Sequence, residues 1–135
     1  MAELAALAGS TMVNIPELGG TVPLHGPQMQ TTAAGLFVAG NIAGVESAPV
    51  AMVQGELAAL GIAAHLAPER EDLATDTARA REQLAQARRE ALLQFYPNAA
   101  AGRRRLAALW TARLENPALL ERGKTDAEGF DHLPL

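Results

Sequence analysis

The spacing of apolar positions along this chain changes near residue 47 and again near residue 67. Before residue 47, short apolar runs are cut by glycine, proline, serine and threonine. Residues 12–15 and 21–24 read as short extended segments, split by the turn signal Pro16-Glu17-Leu18-Gly19-Gly20. Residues 35–40 (Gly-Leu-Phe-Val-Ala-Gly) predict the best strand, an apolar run bounded by glycines and suited to burial on both faces. A short apolar stretch at residues 4–8 precedes them.

The pattern then turns helical. Ser47 can cap a helix, and Pro49 suits its first turn because the missing N–H would have no intrahelical partner there. Val50, Val53, Leu57, Leu60 and Ala64 crowd together up to about residue 66, which predicts a helix buried on most sides. Gly55 and Ala58 would permit close approach of a neighbour. Ala67-Pro68 ends it. A long charged helix follows over about residues 71–95, with Leu73, Thr77, Ala80, Leu84, Ala87 and Ala91 forming a stripe of mostly small residues. Tyr96-Pro97-Asn98 breaks that helix. Residues 102–114 predict another, with Leu106, Leu109, Trp110 and Leu114 on one face. The two charged helices either pair as a hairpin across Pro97 or dock on a larger subunit. Residues 123–135 read as an irregular tail. The organisation is therefore α/β over residues 1–66, helical over 67–122 and irregular beyond.

Composition sharpens this picture. A length of 135 residues allows one domain, or a domain with a helical extension. Hydrophobic residues make up 49% of the chain, but 29 of its residues are alanines, so the core is thin. Acidic residues outnumber basic ones 15 to 11, and residues 1–66 hold no lysine or arginine at all. No block is basic enough for a nucleic-acid footprint, and Arg103-Arg104-Arg105 reads as a solvated helix start or a protein contact. The absence of cysteine excludes disulfides, thiolate metal sites and a cysteine nucleophile. The first residues lack a basic signal-peptide region, and no apolar run reaches the roughly 18 residues of a membrane span. The expectation is a soluble, cytoplasmic protein.

The predicted strand at residues 35–39, the Gly40-Asn41 turn and the following helix make a strand–tight turn–helix unit. Gly40 lets the backbone turn sharply and approach a ligand, and the helix amino end offers N–H groups and a positive dipole end. On physics alone, an ordinary buried α/β unit explains the pattern as well. The wording of the segment adds to it. TTAAGLFVAGNIAGVESAPVAMVQGELAALGIAAHL resembles the last flavin-contacting segment of the FAD-dependent pyridine-nucleotide oxidoreductases. Its lead-in VNIPELGGTVPLHGPQMQTT resembles one branch, the FAD subunits of amino-acid dehydrogenases and oxidases. That branch includes sarcosine oxidase alpha, dye-linked proline dehydrogenase, opine oxidase and hydrogen cyanide synthase. The resemblance covers about residues 10–66.

The resemblance implies a fragment of a dinucleotide-binding domain. It assigns flavin contacts to Gly40, Asn41 and Val50. Asn41 stands where the family has an aspartate, which keeps an acceptor oxygen but loses charge assistance. Pro49 has no N–H to offer the flavin, so Val50 alone could serve from the helix start. No G-x-G-x-x-G occurs in the chain, so the pyrophosphate cradle of an FAD site is missing. FAD is thus expected to be shared with another chain, or lost.

No catalytic acid or base is assignable. Glu46 and Glu56 read as exposed helix carboxylates. No two of His25, His65 and His132 have metal-ligand spacing. All three read as surface or capping residues, and His25 alone merits a test as a site residue because its loop leads to the flavin-like strand. The expected function is a component of an FAD-dependent oxidoreductase acting on an amine or amino acid, inactive alone and joined to a larger flavoprotein subunit. The competing expectation is a non-catalytic assembly protein that keeps the flavoprotein-like unit as scaffold.

Overall fold

The computed structural model of the chain describes residues 2–94 and 98–118. The expected break at Tyr96-Pro97, the tail at residues 123–135 and His132 lie outside them. The described residues form four helices and one antiparallel pair of strands, so the chain is mostly helical with a small sheet. The order is α1 (Glu3–Leu7), β1 (Met12–Ile15), β2 (Gly20–Pro23), α2 (Ala48–Leu66), α3 (Leu73–Gln94) and α4 (Ala99–Glu115).

The hairpin forms where alternation and turn chemistry agree. Met12 pairs with Pro23 and Ile15 with Gly20, which puts Val13, Ile15 and Val22 on the buried face. The connection is a 3-10 turn over Pro16–Leu18, closed by Gly19 at φ +95°, a left-handed conformation that glycine adopts without a Cβ penalty. α4 lies across this hairpin and its turn. Val13, Ile15, Leu18, Val22 and Leu24 pack there with Ala99, Leu106, Leu109 and Trp110 as one core. α4 begins three residues before the expected start at residue 102. Leu114, expected on its buried face, is exposed because it extends past the end of the hairpin's cover.

A second core joins α2 to α3. Met29, Val38, Ala43, Val50, Leu57 and Ala58 meet Ala80 and Leu84, with Ala87 and Ala91 at the margin. The small-residue stripe of α3 thus lets two helices lie close. The two charged helices do not simply pair with each other: α3 packs on α2, α4 packs on the hairpin, and a cleft opens between them.

Two expectations about the middle of the chain need correction. Residues 35–39 do not form a strand of a parallel sheet. The Leu36 carbonyl accepts from Thr31 and its N–H turns back to the Ala33 carbonyl, while Val38 donates to Met29, around an isolated antiparallel bridge between Gln30 and Phe37. The outer edge of this extended segment meets no strand among the described residues. The dinucleotide-binding sheet needs neighbours that these residues do not supply.

The second correction concerns α2, which is not buried on most sides. Val50, Gln54, Leu57, Ala58 and Gly61 are buried, but Met52, Gly55, Ala59, Ile62 and Leu66 form an exposed ridge. Gly55 meets nothing, and the close approach falls instead at Gly61, against Phe37 and the Gln28 carbonyl. Contrary to the expectation of no such run, this 19-residue helix has a mean hydropathy of 1.3 and is long and apolar enough to cross a membrane. Here its buried face is occupied by α3.

Candidate functional site

A buried polar layer links the two cores, built by side chains far apart in sequence. Its centre is Glu46, in the loop leading into α2, with a side chain only 6% exposed. Arg88 of α3 donates to it from Nε and Nη2, at 3.1 and 3.2 Å. Arg103 of α4 forms an ion pair with the same carboxylate through Nη2. Gln54 of α2 donates from Nε2 to Glu46 Oε2 at 3.2 Å, and its Oε1 accepts the Gly40 N–H at 2.9 Å. Four segments therefore converge on one carboxylate.

His25 extends the layer on the other side of Arg103. Its Nδ1 lies 2.7 Å from the Pro23 carbonyl, which can only accept, so Nδ1 carries the proton. Its Nε2 then accepts from Arg103 Nη1 at 3.2 Å, which requires the neutral ring. Burial pushes the histidine down from 6.5 to about 4, with the positive charges of Arg103 and Arg88 acting in the same direction and the bond to Pro23 opposing. Burial also lowers Arg103 to about 10, against the stabilising charge of Glu46. Arg103 stays cationic at neutral pH. Its Nη2 faces the Glu46 carboxylate, whereas its Nε hydrogen has no acceptor among the described residues.

This layer overturns three sequence expectations. Glu46 is not an exposed helix carboxylate, Arg103 is not a solvated residue at a helix start, and His25 is not at the surface. An unpaired buried charge is too costly to persist, so each charge is buried only because the others are. One sequence signal pointed this way. With no lysine or arginine in residues 1–66, any carboxylate buried there must recruit its cation from the second half. Glu17 does the same nearer the surface, pairing with Arg105 at 3.5 Å. His65 and Glu56 are exposed, and the His65 ring stands edge-on to Phe37 at 6.3 Å between centroids.

The residues assigned by resemblance sit around the start of α2. Gly40 opens a 3-10 turn, Gly40–Ala43, with φ +77° at Gly40 itself. Asn41 is exposed at this turn, and its carbonyl accepts the Gly44 N–H at 3.2 Å. Val50 has no exposed surface and belongs to the second core. Ser47 occupies the N-cap position but makes no capping bond, and its hydroxyl is buried without a partner. Gly40 and Asn41 thus share one accessible turn, while Val50 is turned inward.

Asn41 presents an exposed amide at this turn, and the Gly40 N–H is already engaged by Gln54. Val50 offers a ligand no surface, and nothing in the turn provides for a pyrophosphate.

Beside the polar layer lies a cleft of about 440 Å³ between α3 and α4. It is lined by His25, Met29, Arg81, Leu84, Arg88, Arg103 and Leu106, among others. Met29 is the one non-glycine residue at positive φ (65°) among those described, held in a tight turn closed by the Gly26 N–H to Gln30 carbonyl bond at 2.9 Å. No protein-family profile, curated protein or solved structure matches the chain.

Proposed function

We propose that this chain is a component of an FAD-dependent oxidoreductase acting on an amine or amino acid, completing the flavin site of a larger subunit. The observation that carries the reading is the Gly40-Asn41 turn. It is accessible, set at the start of a 19-residue helix, and preceded by an extended segment whose outer edge meets no strand among the described residues. Such an edge accepts a strand from another chain through main-chain hydrogen bonds. The added strand would extend this segment into the sheet that the resemblance to flavoproteins calls for. Gly40 and Asn41 would then contact the ribityl chain. The pyrophosphate, the substrate and the catalytic groups would fall to the partner, so the chain is inactive alone.

A second reading, a non-catalytic assembly protein, is favoured by the burial of Val50 and by the exposed ridge of α2. Co-expression with the product of the neighbouring gene, followed by a visible spectrum of the purified complex, separates the two. A yellow complex that loses its colour on Asn41→Leu supports flavin contact. A stable colourless complex supports assembly. A yellow complex unaffected by Asn41→Leu overturns the assigned contact.

A further inference from the structure

We propose that the cleft between α3 and α4 is a binding site for a small carboxylate carrying an apolar chain, with Arg81 as its exposed charge and the Arg88–Arg103 pair as its buried one. The proposal does not depend on the flavin reading. The cleft volume of about 440 Å³ falls within the roughly 300–1,000 Å³ of small-molecule sites. Its walls combine two chemistries. Met29, Leu84 and Leu106 offer apolar surface for a chain, and three guanidinium groups offer charge.

The charge account is unbalanced. Arg88 and Arg103 share the single carboxylate of Glu46, and Arg81 has no ion-pair partner among the described residues. His25, the other titratable group facing the layer, is neutral by its hydrogen bonding. Three positive charges against one negative leave a surplus of two beside a cleft with apolar walls. There, charge is screened less than at a free surface. Arg103 makes the deficit specific: its side chain is 10% exposed, and its Nε hydrogen lacks an acceptor among the described residues. A second carboxylate is the group that guanidinium forks match, and Glu46 already shows that this site takes one. Met29 is held in a left-handed conformation at the cleft wall, a cost that concentrates at ligand sites.

Isothermal titration calorimetry of the whole chain with sodium octanoate tests this. Octanol serves as the uncharged match, and acetate as the control that keeps the carboxylate but lacks the apolar chain. Octanoate is expected to bind saturably at one per chain, at least about tenfold tighter than either control. Arg81 is exposed, so Arg81→Gln should leave the circular dichroism melt unchanged while weakening octanoate about tenfold, as loss of a charged hydrogen bond would. Ala107 lines the cleft from an exposed position on α4, and Ala107→Trp should abolish binding by filling the space. Equal affinity for octanol and octanoate would overturn the proposal, as would Arg81→Gln binding normally or no saturable heat at millimolar octanoate.

Discussion

Replacing Glu46 by glutamine removes one negative charge and almost no volume, so it isolates the electrostatic role of the buried layer. Arg103, 10% exposed, then keeps its charge without a counter-ion, and Arg88, 28% exposed, exchanges a two-oxygen carboxylate for one neutral amide oxygen. Removing one partner of a buried ion pair costs roughly 3–5 kcal/mol. Arg88 can turn towards water, which places the expected loss near the lower end, at about 3 kcal/mol. For a chain of this length each kcal/mol moves the thermal midpoint by roughly 3–5 °C, so a fall of about 10 °C is expected. Circular dichroism melts and urea unfolding measure both quantities. A second variant checks the cause. Adding Arg103→Met to Glu46→Gln removes the stranded charge and should recover much of the loss, since apolar replacement of a buried pair is often neutral. A loss below about 1 kcal/mol for Glu46→Gln, or no recovery in the double variant, would refute the reasoning.

Three further outcomes follow from the geometry. His25 titrates at 6.5 when unfolded and at about 4 in the folded protein, so between those values the unfolded state binds more protons. Its contribution is therefore complete above pH 6.5 and falls by about 3 kcal/mol as the pH drops towards 4. Urea unfolding across that range, paired with an NMR titration of His25, would show it, and a folded-state midpoint near 6.5 would sink the idea. The two glycines of α2 should respond with opposite sign in thermal melts. Gly61→Ala would drive a methyl to 2.7 Å from Phe37 and 2.9 Å from the Gln28 carbonyl, costing about 1–3 kcal/mol. Gly55→Ala meets nothing and should gain about 0.5–1 kcal/mol from helix propensity. Finally, lysine at both Met52 and Leu66 should change stability by less than about 0.5 kcal/mol, because both side chains are exposed. The same pair should abolish capture by any partner that covers the ridge, as read by size-exclusion chromatography of the co-expressed complex.

Local chemistry made much of this fold legible. The hairpin at Met12–Ile15 and Gly20–Pro23 follows from alternation and a turn rich in proline and glycine, and both are properties of adjacent residues. The extent of α2 and the buried stripe of α3 follow from helical spacing in the same way. What failed was everything set by distant neighbours. Residues 35–40 carry the composition of a central strand, but a strand needs partners on both edges, and here only Met29 and Thr31 supply one. Gly55 and Gly61 are alike in a sequence, and only the position of Phe37 makes one of them indispensable. Leu114 keeps the helical spacing of Leu106 and Trp110 yet lies beyond the surface they cover. Within the candidate site, the Gly40-Asn41 turn was readable from its glycine, whereas Glu46, Gln54, Arg88 and Arg103 meet across three helices and a loop. No local pattern announces such a meeting.

The uneven charge of the chain explains why its halves fold as one unit. The carboxylate of Glu46 belongs to the half without lysine or arginine, and its cations come from α3 and α4. Gln54 spends one end of its amide on that carboxylate and the other on the Gly40 N–H. The turn that presents Asn41 is thus held by a chain of contacts running from the second half into the first. Without Arg88 and Arg103, Glu46 would be a buried carboxylate without a cation, and rehydrating it would draw Gln54 away from Gly40. The left-handed turn would then lose the side-chain bond to its N–H. The helical region is therefore part of the site it does not touch: its arginines fix the conformation of a turn that composition alone would place in a separate segment.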